Sequence, residues 1–271
     1  MSHRKDWVLE RPALRVTVMG NSTAVWVAPE RTSRADATYG EYLEAELAGR
    51  SINCQVTNLG RWNELVPKGV CRFNDAVRAG TPDVVILNYG TIEAFPFLFP
   101  MTLHSYLHTW HVHSGFGRTR FRNALRRLLW RRLRALQRVG ATVLGGRTHH
   151  VGPGRFRDEL TKLVGDIYRD QRALTLVVGI PRPTSGLISQ VPGISERFDA
   201  YNTVMREVCE AASGSAIYVD LRDLPPDEAL VPDGLHLAAA AHHQVAEWLA
   251  DMIQNWASTT SGAIYRREPT P

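Results

Sequence analysis

Short apolar runs alternate with amphipathic stretches along most of this chain. The apolar runs have the length of buried strands and lie at residues 14–19, 52–59, 83–89, 174–180 and 216–219. Between and after them, apolar side chains recur at helical spacing and predict helices over residues 39–47, 70–79, 155–172, 194–212 and about 237–256. Five strands that alternate with helices predict an α/β protein, a three-layer α/β/α sandwich around a parallel sheet.

This order of elements predicts one domain over residues 1–256. Residues 94–157 are too long for an ordinary connection, so we expect a helical elaboration there. The polar stretch 257–271 lacks periodicity and is expected to be a mobile tail. In open parallel sheets the ligand site lies beyond the carboxyl ends of the strands, so the residues that follow each strand are the candidates for function.

The amino-acid composition is that of a globular protein, and the basic residues are concentrated in one segment of the sequence. The chain has 271 residues, of which 44% are hydrophobic and 22% charged, which excludes disorder and a collagen-like fibre. The formal net charge is +5, but residues 94–157 contain twelve Arg and neither Asp nor Glu. Removing these twelve positive charges leaves −7 for the rest of the chain, so the basic character belongs to one internal segment.

The centre of that segment is an Arg-rich stretch at residues 118–138, which contains nine Arg and has leucines at helical spacing. It is typical of a helix with a solvated basic face. It is equally compatible with an anionic partner: a phosphorylated or carboxylated substrate, the phosphates of coenzyme A, an acidic carrier protein or anionic lipid. No recognition motif accompanies the charge, so we expect no nucleic-acid partner.

Compartment and metal content are read from cysteines, hydropathy and histidines. The three cysteines, Cys54, Cys71 and Cys209, have no metal-binding spacing, and we expect free thiols in a cytoplasmic protein. No stretch approaches the apolar length of a membrane span or of a signal peptide. His104, His108 and His111 lie at helical spacing, but no carboxylate is near them, so a structural or substrate-lining role is favoured over a metal. We expect no cofactor and no metal.

The sharpest chemical signal is Asp233, three residues before His236 and just ahead of the last helix. One tight turn lets such a carboxylate accept the Nδ1 proton of the imidazole, which leaves Nε2 free as a general base. Ser22 follows the first strand directly and is the serine best placed at the carboxyl edge of the sheet. Alone, each feature is more often a surface pair or a helix cap; together they suggest a Ser-His-Asp triad.

Four blocks in this order resemble the SGNH/GDSL hydrolase family: Gly20-Asn21-Ser22, Asn58-Leu59-Gly60, Gly90-Thr91-Ile92-Glu93 and Asp233-Gly234-Leu235-His236. The resemblance covers about residues 14–255 and implies a flavodoxin-like sheet of order 2-1-3-4-5 in a serine esterase, lipase or acyltransferase. It also implies that Ser22 is the nucleophile with Asp233 and His236 as partners, and that the backbone N–H groups of Ser22 and Gly60 form the oxyanion hole.

The chain departs from the family pattern at two places. Asn21 replaces the usual Asp of the first block, which is nearly isosteric. Ile92 replaces the usual Asn of the third block, whose side chain donates to the oxyanion, and Glu93 replaces the Asp after it. Loss of one such donor can cost about 2.7–4 kcal/mol of transition-state stabilisation. The candidates for substrate binding or for a replacement donor are Asn21, Arg61, Asn63, Asn88, Glu93 and Arg182.

The expected activity is therefore that of a serine-dependent esterase or deacylase acting on an ester of a small molecule or glycan, which could be anionic or carrier-bound. Two alternatives stay open: an O-acyltransferase that uses the same residues, and a non-catalytic module that binds an anionic partner. The aromatic stretch at residues 95–100 follows the third strand and either lines the acyl or alcohol pocket or anchors a lid. The oligomeric state cannot be read from the sequence.

Overall fold

The computed structural model describes residues 14–25, 37–73, 77, 80–96, 132 and 150–260. Within them one sheet contains five parallel strands in the order β2-β1-β3-β4-β5. The strands are β1 (Leu14–Gly20), β2 (Cys54–Asn58), β3 (Val84–Asn88), β4 (Leu174–Val178) and β5 (Ala216–Val219). This confirms the predicted fold class and the strand order implied by the family resemblance.

Nine helices lie in the part of the chain that the structure describes. They are α1 (Ser22–Val25), α2 (Tyr39–Gly49), α3 (Val66–Arg72), α4 (Thr91–Ala94), α5 (Pro153–Gln171), α6 (Ser185–Gln190), α7 (Ile194–Ala211), α8 (Pro226–Ala229) and α9 (Ala239–Thr260). Side chains alternate across the pleat, so successive strand residues enter two different cores. Val84 and Ile86 of β3 pack in the core that α2 and α9 cover. Val85 and Leu87 pack in the core of α3, α5 and α7.

The predicted elements differ from the structure mainly at their ends. Helix α3 starts at Val66, four residues earlier than predicted, because Pro67 in its first turn suits the start of a helix. Helix α9 continues to Thr260, so residues 257–260 are helical and do not belong to the predicted tail. The short helix α6 was not predicted; the Thr184 side chain caps it by accepting the Leu187 N–H at 3.2 Å.

Several sequence-based expectations concern residues outside the described ranges. These are the histidines at 104–113, residues 97–100 of the aromatic stretch, most of the Arg-rich stretch and the end of the tail. Arg132 is the described residue of the Arg-rich stretch; it is helical and exposed. All three cysteines are free, as expected. Among the described helices, none has the length and apolar character that crossing a membrane requires.

Candidate active site

Ser22 and His236 meet at the carboxyl edge of the sheet although 214 residues separate them in the sequence. Ser22 is the first residue of α1, separated from the end of β1 by Asn21 alone, and it is 5% exposed. His236 lies in the turn that precedes α9. The Ser22 Oγ and the His236 Nε2 are 2.8 Å apart, the distance of a hydrogen bond.

Asp233 completes the line of contacts on the other side of the imidazole. Its Oδ2 lies 2.7 Å from the His236 Nδ1, and its Oδ1 accepts the backbone N–H of Leu235 at 2.8 Å and of His236 at 3.1 Å. Gly234 has a φ of +72°, a conformation that glycine adopts without strain, and this allows the turn to be so tight. The three-residue spacing predicted from the sequence therefore gives the expected contact.

The electrostatics of this turn favour an ionised carboxylate. Burial by itself would raise the pKa of Asp233, but the hydrogen bond and charge of His236 and the two backbone N–H groups outweigh it, so the pKa lies below its usual range. An ionised Asp233 accepts the Nδ1 proton, which leaves Nε2 to accept the Ser22 hydroxyl proton. This is the arrangement that activates a serine for attack on a carbonyl carbon.

The turn that carries Ser22 is held by interior amides. The Asn21 Oδ1 accepts the Thr23 N–H at 3.0 Å and lies 2.8 Å from the Thr23 hydroxyl, which also contacts the Asn88 Oδ1. The Asn21 N–H donates to the Asn88 carbonyl at 3.1 Å. Asn21 and Asn88 are 0% and 4% exposed. Both were candidates for substrate binding or for a replacement donor; in the structure they are buried behind the turn and hold it in place.

Gly60 packs against the helix that Ser22 begins. A Cβ at this position would lie 2.7 Å from the Val25 Cγ1 and 3.0 Å from the Ala24 Cβ. The Asn58 side chain clamps the two segments together: its Oδ1 accepts the Gly60 N–H at 3.0 Å and its Nδ2 donates to the Ala24 carbonyl at 2.7 Å. The Gly60 N–H thus already donates to an acceptor within the chain. To bind an oxyanion, it would have to donate to both acceptors at once or release the Asn58 Oδ1.

Glu93 lies in the interior and not in the pocket. It is 0% exposed, and its carboxylate accepts the backbone N–H of Val66 at 2.7 Å and of Gly90 at 2.9 Å. It therefore joins the start of α3 to the turn after β3. Glu93 was a candidate for substrate binding or for a replacement donor; its side chain has no exposed surface and holds the turn that precedes α4.

Burial raises the pKa of Glu93 to about 7, because desolvation outweighs the backbone N–H groups of Val66, Gly90 and Glu93 itself, which lower it. A raised pKa means that the unfolded chain loses this proton first as the pH increases. The free energy of unfolding should therefore fall by about 3 kcal/mol as the pH rises from about 4.5 to 7, because of Glu93. Above that pH, Glu93 causes no further change. We expect Glu93→Gln to remove this pH dependence, measured as urea unfolding at pH 5 and at pH 8.

The exposed Glu196 offers the matched control for this experiment. Glu196→Gln is expected to keep the pH dependence of the wild-type protein. An unchanged difference in stability between pH 5 and pH 8 in Glu93→Gln would contradict the prediction.

The remaining predicted residues lie nearer the surface. Arg61 and Arg182 are exposed and Asn63 is half-buried, so all three remain candidates for contact with a substrate. The Arg61 N–H donates to the Gly20 carbonyl at 2.9 Å, which holds the loop after β2 beside the Ser22 turn. Ile92 is 8% exposed and supplies no side-chain donor, as its chemistry predicts.

Sequence reasoning missed a buried hydrogen-bond network centred on Glu64, in the segment between β2 and α3. The Glu64 carboxylate accepts three hydrogen bonds. They come from the Arg72 Nε at 3.0 Å, from the Arg72 Nη2 at 2.5 Å and from the Tyr89 hydroxyl at 2.7 Å. Glu64 and Tyr89 are 5% and 1% exposed. Breaking such a buried pair by removing one partner typically costs 3–5 kcal/mol. The spacing of Glu64 and Arg72 gave no signal because α3 starts between them.

Neither a family model nor a curated protein matches the chain. Solved structures do. A lipase/acylhydrolase from Enterococcus faecalis matches with a TM-score of 0.60 and 17% identity, over 90% of this chain and 96% of that one. An α/β hydrolase from the metagenome of Lake Arreo matches with a TM-score of 0.56 and 17% identity, over 88% of this chain and 95% of that one. A catalytic mutant of an acetylxylan esterase from Geobacillus stearothermophilus matches with a TM-score of 0.55 and 16% identity, over 89% of this chain and 93% of that one.

At these identities the likeness concerns the fold. It extends over nearly the whole of each chain, and the strand order is the one that the four sequence blocks implied. The backbone therefore has the fold that the sequence blocks implied: this chain shares the α/β/α fold of these lipase/acylhydrolase and esterase structures.

Proposed function

We propose that this protein is a serine-dependent esterase or deacylase that acts on an ester of a small molecule or glycan through an acyl-enzyme on Ser22. The observation that carries the proposal is the continuous line of hydrogen bonds from the Ser22 Oγ through His236 to Asp233, at 2.8 and 2.7 Å. The solved structures of similar fold include a lipase/acylhydrolase and an acetylxylan esterase, which supports the same class of reaction.

In the proposed reaction, His236 Nε2 takes the proton of Ser22 as the Oγ attacks the ester carbonyl carbon. The C–O bond to the alcohol then breaks, and the imidazolium gives its proton to the leaving oxygen. Water, deprotonated by the same Nε2, attacks the acyl carbon; the bond from that carbon to the Ser22 Oγ breaks, the imidazolium returns its proton to the Oγ, and the acid leaves. Asp233 keeps the imidazole in the required tautomer and stabilises its cation. The N–H groups of Ser22 and Gly60 are the proposed oxyanion donors.

Labelling with a serine-directed fluorophosphonate tests the proposal. We expect one covalent adduct per chain, on Ser22, because only a serine activated by a neighbouring base reacts readily with such a reagent. Ser22→Ala should lose the adduct and His236→Ala should label far more slowly. Ser185→Ala, at an exposed serine that begins α6, should label like the wild type. A folded wild-type protein that takes no label would overturn the catalytic proposal and favour a binding module.

Product analysis separates hydrolysis from transfer, since the two reactions share residues and differ in the acceptor. Mass spectrometry of reactions with an acyl donor, with and without an added alcohol, should find the free acid in both. A new ester as the main product would assign an O-acyltransferase instead.

A further inference from the structure

Trp62 is the most exposed of the large hydrophobic side chains in the described residues, and it lies beside the candidate catalytic histidine. Its side chain is 48% exposed. The centroid of its ring is 6.3 Å from that of the His236 imidazole, and the two ring planes are inclined by 47°. An indole that remains exposed forgoes much of the stabilisation that burying a large aromatic surface provides.

The exposure of Trp62 does not come from a loose loop, because the backbone is held on both sides of it. One residue before it, the Arg61 N–H donates to the carbonyl of Gly20 at the end of β1. Two residues after it, the Glu64 carboxylate is bound by Arg72 and Tyr89 in the interior. The indole is therefore presented at a fixed place next to His236, and its rigidity lowers the entropy cost of binding a ligand.

The chemistry of the site says which part of an ester would meet this indole. When the Ser22 Oγ forms its bond to the acyl carbon, the bond from that carbon to the alcohol oxygen breaks. The oxygen takes its proton from the His236 Nε2, so the alcohol leaves on the side of the imidazole. Trp62 lies on that side. The acyl group carries no such requirement to be near His236.

We propose, resting on the esterase function above, that Trp62 is a specificity-determining residue that packs against a flat ring in the alcohol moiety of the substrate. A neutral indole face binds a pyranose through its C–H groups or an aryl ring by stacking, and neither contact needs a charge. The shared chemistry is a ring-bearing alcohol, and a linear alcohol of similar polarity lacks the surface to use this contact.

Three esters with one acyl group test this proposal: a monoacetate of methyl glucopyranoside, phenyl acetate and ethyl acetate. We expect Trp62→Ala to lower kcat/KM for a ring ester by about tenfold or more, mainly through KM, and to change ethyl acetate by less than about twofold. Trp62→Phe should restore most of the loss. A loss confined to the pyranose ester or to the aryl ester supports the proposal and identifies the ring.

Tyr168→Ala is the matched control, because Tyr168 is 44% exposed but lies near the end of α5, at the edge of the sheet opposite His236. It should leave all three esters unchanged. An equal loss on all three esters in Trp62→Ala would overturn the proposal, since it would mean that Trp62 only supports His236. Unchanged kinetics on both ring esters would overturn it as well.

A binding measurement keeps this proposal distinct from the proposed catalysis. In Ser22→Ala, methyl glucopyranoside or phenol should shift the NMR signal of the Trp62 indole N–H and ethanol should not. Saturation transfer to the ligand protons should detect the same binding and should be lost when Trp62→Ala is added. Binding of a ring alcohol in a protein that takes no fluorophosphonate label would retain Trp62 and reject the esterase. Absence of ring binding in a protein whose Ser22 is labelled would do the reverse.

Discussion

Replacing His236 with alanine is expected to lower kcat for ester hydrolysis by about a million-fold, with KM changed far less. The imidazole is the proposed base and lies 2.8 Å from the Ser22 Oγ; without it the serine hydroxyl keeps its proton at neutral pH. Because Ser22 and His236 act as a unit in the proposed mechanism, the double variant with Ser22→Ala should be no slower than His236→Ala alone. Steady-state kinetics with a chromogenic ester measure both.

His243, in helix α9, offers a control of the same residue type. It lies in α9 with its side chain 47% exposed, and its two ring nitrogens are each 3.3 Å from a carboxylate oxygen, of Glu46 and of Glu247. His243→Ala should leave kcat unchanged. Asp233→Asn should fall between the two, at about a 10⁴-fold loss, because an amide at that position favours the wrong tautomer of His236. If His236→Ala and His243→Ala had similar kcat values, the assignment of the base would be wrong.

Gly20→Ala is expected to lower the free energy of unfolding by about 3 kcal/mol or more. A Cβ there would lie 2.4 Å from the Asn88 carbonyl oxygen and 2.9 Å from the Asn88 Cβ. Neither partner can move cheaply, because Gly20 and Asn88 are paired in the register of β1 and β3, and the same carbonyl accepts the Asn21 N–H. Relieving the contact would displace the turn that positions Ser22, so activity should fall together with stability.

Gly165→Ala separates this steric effect from the general effect of replacing a glycine. Gly165 is exposed in the middle of α5, and a Cβ there would have no neighbour within 4 Å. Alanine should stabilise that helix by about 0.5–1 kcal/mol. Urea unfolding followed by circular dichroism compares the two variants, and equal midpoints for Gly20→Ala and the wild type would contradict the close contact.

The periodicity of the sequence was enough to predict the strands and most of the long helices. The first four residues of β3 are apolar, and all five of its residues are buried, as expected for a central parallel strand. The ends of the helices were less accurate, since they depend on single residues such as Pro67 and on packing beyond Trp256. Short helices such as α8 have too few residues for a periodic signal.

By itself the sequence determined the elements, their alternation and the Asp233–His236 contact, because each depends on residues that are close along the chain. The tertiary structure decided which polar residues are buried in the interior and which are exposed at the surface. It buried Asn21 and Asn88 behind the Ser22 turn and Glu93 beneath the turn before α4, and it left Trp62 exposed beside His236. Residue types alone cannot distinguish an amide that holds a turn from one that meets a ligand, because that difference arises only when distant segments pack.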